Sequence, residues 1–93
     1  MIRTFAVRAT EAIFLDRQAP ELPSTIQTVA RRKLMQIYLA RLLSDLRVPP
    51  GNRLEALKGR RAGQHSIRIN DRWRLVFRWT AAGAEDVAIV DYH

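Results

Sequence analysis

The stretch Gln64-His65-Ser66-Ile67-Arg68-Ile69-Asn70-Asp71-Arg72-Trp73-Arg74-Leu75-Val76-Phe77-Arg78-Trp79 decides the fold. Two runs within it alternate with a period of two, as half-buried strands do. In the second run Trp73, Leu75, Phe77 and Trp79 share one face, and Arg72, Arg74, Val76 and Arg78 the other. In the first, His65, Ile67 and Ile69 stand against Gln64, Ser66 and Arg68. Asn70-Asp71 invites a two-residue hairpin turn. That turn would pair Ile69 with Arg72 and Ile67 with Arg74, mixing apolar and charged groups on both faces. A three-residue loop (Asn70, Asp71, Arg72) pairs Ile69 with Trp73 and Ile67 with Leu75 instead. A one-residue slip moves every side chain to the opposite face, so burial selects the longer loop or a bulge. This register sets Arg68 opposite Arg74 and Gln64 opposite Arg78, on the face away from the core. Like charges directly opposed are unfavourable. Such a face either exists to hold an anion or fans its arginines into water. His65 falls on the core parity and is read as structural.

Outward from the hairpin, Pro and Gly punctuate the chain. Residues 2–7 read as a short opening strand, and Thr10 as the N-cap of a brief helix over 11–16. Pro20 and Pro23 close that segment. Ser24 then caps a longer helix that runs to about Leu46, with Ile26, Val29, Ala30, Leu34, Ile37 and Arg41 in one stripe. Leu39, Leu42, Leu43 and Leu46 widen the stripe, so the helix packs on more than one neighbour or keeps apolar surface for a partner. Arg31, Arg32 and Lys33 are read as its solvated side. After Pro49-Pro50-Gly51, residues 53–57 read as a strand beside the hairpin, and Val87–Val90 as a final short one. The expected fold is α+β: a single domain over residues 1–93, with two N-terminal helices packed on one face of a small, mainly antiparallel sheet.

Composition narrows the function classes. The 93 residues carry 16 Lys or Arg against 9 Asp or Glu, a net charge of +7, and 47% hydrophobic residues, which fits a globular chain and not a disordered one. The charge is concentrated: residues 46–80 carry Arg47, Arg53, Lys58, Arg60, Arg61, Arg68, Arg72, Arg74 and Arg78 against only Glu55 and Asp71. All the cations but Lys33 and Lys58 are Arg, the side chain suited to bidentate phosphate contacts. Such a block points to a polyanion partner or to a solvated basic surface. The absence of cysteine excludes disulfides and thiolate metal sites. His65 and His93, far apart in the chain, argue against structural zinc, and no metal or cofactor is expected. No apolar run is long enough for a membrane span and no signal-peptide core precedes the domain, so the chain is expected to be cytoplasmic.

Two groups of residues carry candidate chemistry. Asp91-Tyr92-His93 directly continues a β-branched strand, and Asp, Tyr and His can each transfer a proton or orient a group that does. A terminal triplet of this kind is otherwise a frayed end. In a regular strand Tyr92 and His93 point to opposite faces, so a shared role requires the strand to end or curl at about Asp91. Glu55 and Lys58, three residues apart at the edge of the arginine block, are read as a surface pair or as part of a site.

These elements resemble a known family. Leu57-Lys58-Gly59, Ser66-Ile67-Arg68, Trp73-Arg74 and the final Asp91-Tyr92-His93, in that order, are similar to the HigB branch of the RelE/ParE toxins. The resemblance covers nearly the whole chain, and the second half matches best. It implies a RelE-like fold and the toxin of a type II toxin–antitoxin module. Such a toxin enters the ribosomal A site and cuts the messenger RNA there, inhibiting translation and growth. In that reaction the 2′-hydroxyl attacks the adjacent phosphate, leaving a cyclic phosphate and a 5′-hydroxyl. The resemblance implies His93 as the proton-transfer group, Asp91 as its orienting partner and Tyr92 against the nucleotide. Lys58 and Arg74 would stabilise the transition state, and Arg53, Arg60, Arg61, Arg68 and Arg78 would hold messenger and ribosomal RNA backbones. Several relatives carry His where this chain has Glu55. Glu55 is therefore either a base raised by burial or, the favoured reading, an ion-pair partner of Lys58 or an arginine. The departure implies a mild toxin. The implied partners are the ribosome, messenger RNA and a helix-turn-helix antitoxin of the HigA type, through which the toxin–antitoxin complex binds operator DNA. Two other readings stand beside this one: a ParE-like poison of DNA gyrase, and a non-enzymatic RNA-binding module.

Overall fold

The alternating runs form the centre of a four-stranded antiparallel sheet in the computed structural model, which describes residues 1–92. The strands are β1 (Glu55–Ala56), β2 (His65–Arg68), β3 (Trp73–Thr80) and β4 (Gly83–Asp91), in the order β1-β2-β3-β4. Two helices, α1 (Arg8–Phe14) and α2 (Ser24–Leu39), complete an α+β architecture. The expected register is present: Ile67 pairs with Leu75 and Arg68 with Arg74. The Ile69 N–H donates to the Trp73 carbonyl at 2.9 Å. The connecting loop holds its three residues because the Asn70 side-chain oxygen accepts from the N–H groups of both Arg72 (2.9 Å) and Trp73 (2.8 Å). An Asx-type turn thus replaces the two-residue hairpin turn.

One sheet face meets the helices. Ile67, Ile69, Leu75, Phe77, Val87 and Ile89 pack there against Ala9 and Ile13 of α1 and Ile26, Ala30, Leu34 and Ile37 of α2. Half-buried Trp73 and Trp79 flank this core. His65 lies opposite Phe77, with its ring stacked at 6.4 Å.

Several boundaries differ from the sequence reading. Residues 2–7 form no continuous strand; Ile2 and Phe5 make single parallel bridges to Ala84 and Val87. Between those bridges β4 bulges at Asp86, whose φ is 53°, and the Asp86 N–H donates to the Thr4 hydroxyl at 2.8 Å. The N-terminal segment also lies so close to the β3–β4 turn that a Cβ on Gly83 would collide with the Met1 carbonyl, so only glycine fits there. The final strand is longer than expected, whereas β1 keeps only two of the residues 53–57.

The helix starts differ as well. Val7 and Pro23, not Thr10 and Ser24, occupy the N-cap positions, and neither supplies a side-chain cap. Thr10 is buried inside α1, where its hydroxyl accepts the Ile89 N–H of β4 at 2.9 Å. A buried strand amide needs a partner more than a helix end open to water does. Thr10→Val keeps the shape and orphans that amide. It should lower unfolding free energy by about 1–3 kcal/mol in urea denaturation.

The long helix stops at Leu39, well before the expected Leu46. Ala40 is extended, and the Asp45 carboxylate accepts the N–H groups of Arg41 and Leu42 at 3.0 Å each, opening a short 3₁₀ turn over Leu43–Arg47. Those backbone hydrogen bonds, Leu42's first, hold the Asp45 carboxyl below its ordinary value. Leu46 still reaches the core and Leu43 packs at its edge, which is why the apolar pattern ran on past the helix. Tyr38, Leu39 and Leu42 remain exposed. Lys33 is a further correction: it is buried, and its ammonium donates to the Asn52 side-chain oxygen. Desolvation, then Arg32 and Arg68, push the Lys33 pKa down. Among the described residues no helix is long and apolar enough to cross a membrane.

Candidate functional site

The sheet face opposite the helices carries the arginines. Pairing across the strands aligns Glu55, Ser66, Val76 and Ala88 in one row and Arg68, Arg74 and Val90 in the next. Among the described residues no helix packs on this face, yet Ser66 and Val76 are buried. Long side chains whose stems lie along the sheet account for that burial. Arg74 is the clearest case. From β3 it crosses β2, donates from Nε to the Ser66 hydroxyl at 2.8 Å, and donates from NH2 to the Arg53 carbonyl at 2.8 Å.

Local sequence explains why that carbonyl is there to be met. Arg53 follows the Pro50–Asn52 turn in the left-handed conformation, with φ 47° and ψ 55°. The preceding Asn52 is fully buried. Its amide donates to the Gln36 side chain (2.9 Å) and to the carbonyls of Leu46 (3.1 Å) and Val48 (3.4 Å), while its oxygen accepts from Lys33. α2 therefore fixes Asn52, Asn52 fixes the chain at Arg53, and the Arg53 carbonyl fixes one edge of the Arg74 guanidinium. The remaining terminal nitrogen, NH1, lies 3.5 Å from Glu55 Oε1. The ring of Tyr92 packs 5.7 Å from the guanidinium carbon, in cation–π range. The Arg74 side chain is only 14% exposed, so its orientation is set before any ligand arrives.

Neighbouring candidates are spread around this centre. The opposed pair Arg68 and Arg74 is relieved by separate anions, since Arg68 pairs with Asp71 of the hairpin loop and Arg74 with Glu55. Arg78 pairs with Asp86 of the β4 bulge at 3.6 Å. Lys58 is exposed at the end of the β1 segment, and Arg60 and Arg61 follow in a short 3₁₀ turn. Among the described residues none of these three makes an ion pair or side-chain hydrogen bond. β4 stops at Asp91; beyond it the Tyr92 N–H still donates to the Arg72 carbonyl at 2.7 Å. Asp91 takes a two-point contact from Arg72, Nε at 2.9 Å and NH2 at 2.7 Å. That hydrogen bond and the charge of Asp91 hold the Arg72 guanidinium more firmly protonated. His93 lies outside the described residues.

The structure thus brings together Arg74, Glu55, Tyr92 and the backbone of Arg53, with Asp91 one residue from Tyr92. Sequence reasoning missed Ser66, Asn52 and Arg72 as supports. Ser66 carried a usable signal: it is the one small hydroxyl residue on the arginine parity of β2, directly opposite Val76. Asn52 carried none, since a residue after Pro-Pro-Gly reads as loop.

Comparison with known proteins places this arrangement. Over 64 residues the chain is 45% identical to Toxin HigB-1 of Vibrio cholerae serotype O1, which covers 69% of this chain and 67% of that protein. Over 59 residues it is 37% identical to an uncharacterized protein of Haemophilus influenzae, covering 63% of this chain and 58% of the other. The family described as RelE-like toxin of type II toxin-antitoxin system HigB matches residues 4–93, a span that takes in both helices, the whole sheet and the terminal Asp91-Tyr92-His93. With that span matched and the helix-backed sheet in place, the chain belongs to the HigB family of RelE-like toxins of type II toxin–antitoxin systems.

Proposed function

We propose that residues 1–93 act as one toxin domain that cuts messenger RNA in the ribosomal A site. The observation that carries this reading is the pre-oriented Arg74 guanidinium with Tyr92 packed beside it, one residue from the terminal histidine. Cleavage by a 2′-hydroxyl needs three things: a group to accept its proton, a group to protonate the departing 5′-oxygen, and cations around the developing charge. Arg74 supplies a fixed cation and Lys58 a mobile one. Tyr92 offers a face for a base to stack on, and His93 exchanges the protons. Asp91, itself held by Arg72, is the orienting partner of His93. Arg53, Arg60, Arg61, Arg68 and Arg78 contact RNA backbones, and their contribution should weaken as salt rises.

The antitoxin is the partner that a type II toxin implies. The exposed Tyr38, Leu39 and Leu42 at the end of α2 support a docking surface there, with operator DNA reached through the antitoxin. His93→Gln should lower cleavage on programmed ribosomes by about 10²–10⁴-fold, measured by sequencing messenger ends. Growth arrest with intact messengers and inhibited replication would indicate the gyrase-poison reading. Arrest that survives loss of both His93 and Arg74 would indicate simple occupancy of an RNA site.

A further inference from the structure

We propose that Glu55 occupies the phosphate seat of Arg74 in the free protein, as a built-in competitor that RNA must displace. The proposal rests on reading the arginine face as the RNA-binding face, and it assigns Glu55 a role in binding and not in proton transfer. Arg74 has five N–H donors. Ser66 and the Arg53 carbonyl take one each, from Nε and NH2, and both acceptors are parts of the folded framework. That leaves NH1 as the nitrogen with both donors uncommitted, and it is the one facing Glu55.

The geometry is that of a displaceable pair. The 3.5 Å separation is longer than the roughly 2.7–2.9 Å of a tight charge-assisted hydrogen bond. The two sides are also unequal: Arg74 is 14% exposed and immobilised, while Glu55 is 49% exposed on a two-residue edge strand. Among the described residues Glu55 makes no other ion pair or side-chain hydrogen bond, so it can rotate into water freely, whereas moving Arg74 would break two hydrogen bonds. In the free protein the carboxylate offsets the cost of a largely desolvated guanidinium. When a phosphate approaches, the same carboxylate both blocks NH1 and repels the incoming charge. Glu55 therefore sets a threshold that weakens RNA binding at this seat.

The test uses the full chain and a fluorescein-labelled single-stranded RNA, 2′-O-methylated throughout so that it cannot be cut, with binding read by anisotropy. Glu55→Gln should bind this probe about threefold to fivefold more tightly than the parent, the range of a solvent-exposed ion pair. In an Arg74→Gln background, with folding checked by circular dichroism, Glu55→Gln should change binding by less than about half that factor, because the competition runs through Arg74. Equal tightening in both backgrounds would reveal a general charge effect and overturn the proposal, as would no tightening in either. Unaltered binding with cleavage lowered more than tenfold on ribosomes would make Glu55 a proton-transfer group and also overturn it. No ribosome takes part in the binding assay. If the parent cuts no messenger but the coupling to Arg74 is present, the nuclease reading fails and this one stands.

Discussion

Arg74→Ala should lower messenger cleavage on programmed ribosomes by about 10²–10³-fold, the loss typical when one preorganised donor to a developing anion is removed. The expected size follows from how the guanidinium is held. Its Nε and NH2 are spent on Ser66 and the Arg53 carbonyl, so it pays no reorganisation when charge grows on the phosphate. Tyr92 over its face completes the restraint. The loss should therefore fall mainly on kcat, since Arg68, Arg78 and the cations of residues 58–61 remain to hold the RNA backbone. Arg74→Lys should recover little, because the three donors of an ammonium radiate from one atom and cannot span the positions that the guanidinium reaches from Nε, NH2 and NH1. Folding should survive both changes. The Ser66 hydroxyl and the Arg53 carbonyl each lose one hydrogen bond, and neither residue belongs to the helix-facing core. A kcat within tenfold of the parent for a folded Arg74→Ala protein would remove Arg74 from the transition state.

How much of this was legible beforehand depends on the range of the interaction concerned. The hairpin was readable because two strict alternations leave one register that buries Ile67, Ile69, Trp73 and Leu75 together, and the structure has it. The arginine face came with the register. The helix end at Leu39 was not readable, because Leu43 and Leu46 serve the same core from a 3₁₀ turn and so prolong the helical spacing. Thr10 looked like a cap because its type fits one. Only the approach of β4, 79 residues later in the chain, shows that the hydroxyl is engaged by Ile89. Of the site, the charged members were visible by composition and by resemblance. Of the supports, Ser66 showed itself only by its place on the arginine parity of β2, and Asn52 not at all, since a residue after Pro-Pro-Gly announces nothing until its partners are placed. Glu55 was read as an ion-pair partner of Lys58 or an arginine, and the structure gives it Arg74.

Asn52→Leu should be the most damaging substitution for the fold, costing about 3–5 kcal/mol, the usual penalty for stranding a buried charged partner. Asn52 is wholly buried and serves four groups: the Lys33 ammonium, the Gln36 side chain and the carbonyls of Leu46 and Val48. A leucine leaves all four without that partner where little water reaches. A domain of this size is stable by roughly 5–15 kcal/mol, so a large part of the total is at stake. Asn52→Asp separates the two halves of the effect. It keeps an acceptor for Lys33 but removes the donors to Gln36, Leu46 and Val48, so it should cost less than Leu and still be clearly destabilising. The pH dependence then identifies the lysine. In the parent, burial and the charges of Arg32 and Arg68 lower the Lys33 pKa below its ordinary 10.5. Between the lowered folded value and 10.5 the unfolded chain holds a proton that the folded chain has released, so this group makes stability rise with pH across that window. A carboxylate at position 52 favours the charged lysine and raises its folded pKa, so the rise should flatten or reverse in Asn52→Asp. Urea midpoints measured as pH increases toward 10.5 would show it. Parallel curves for the parent and Asn52→Asp would mean that Lys33 does not depend on this amide.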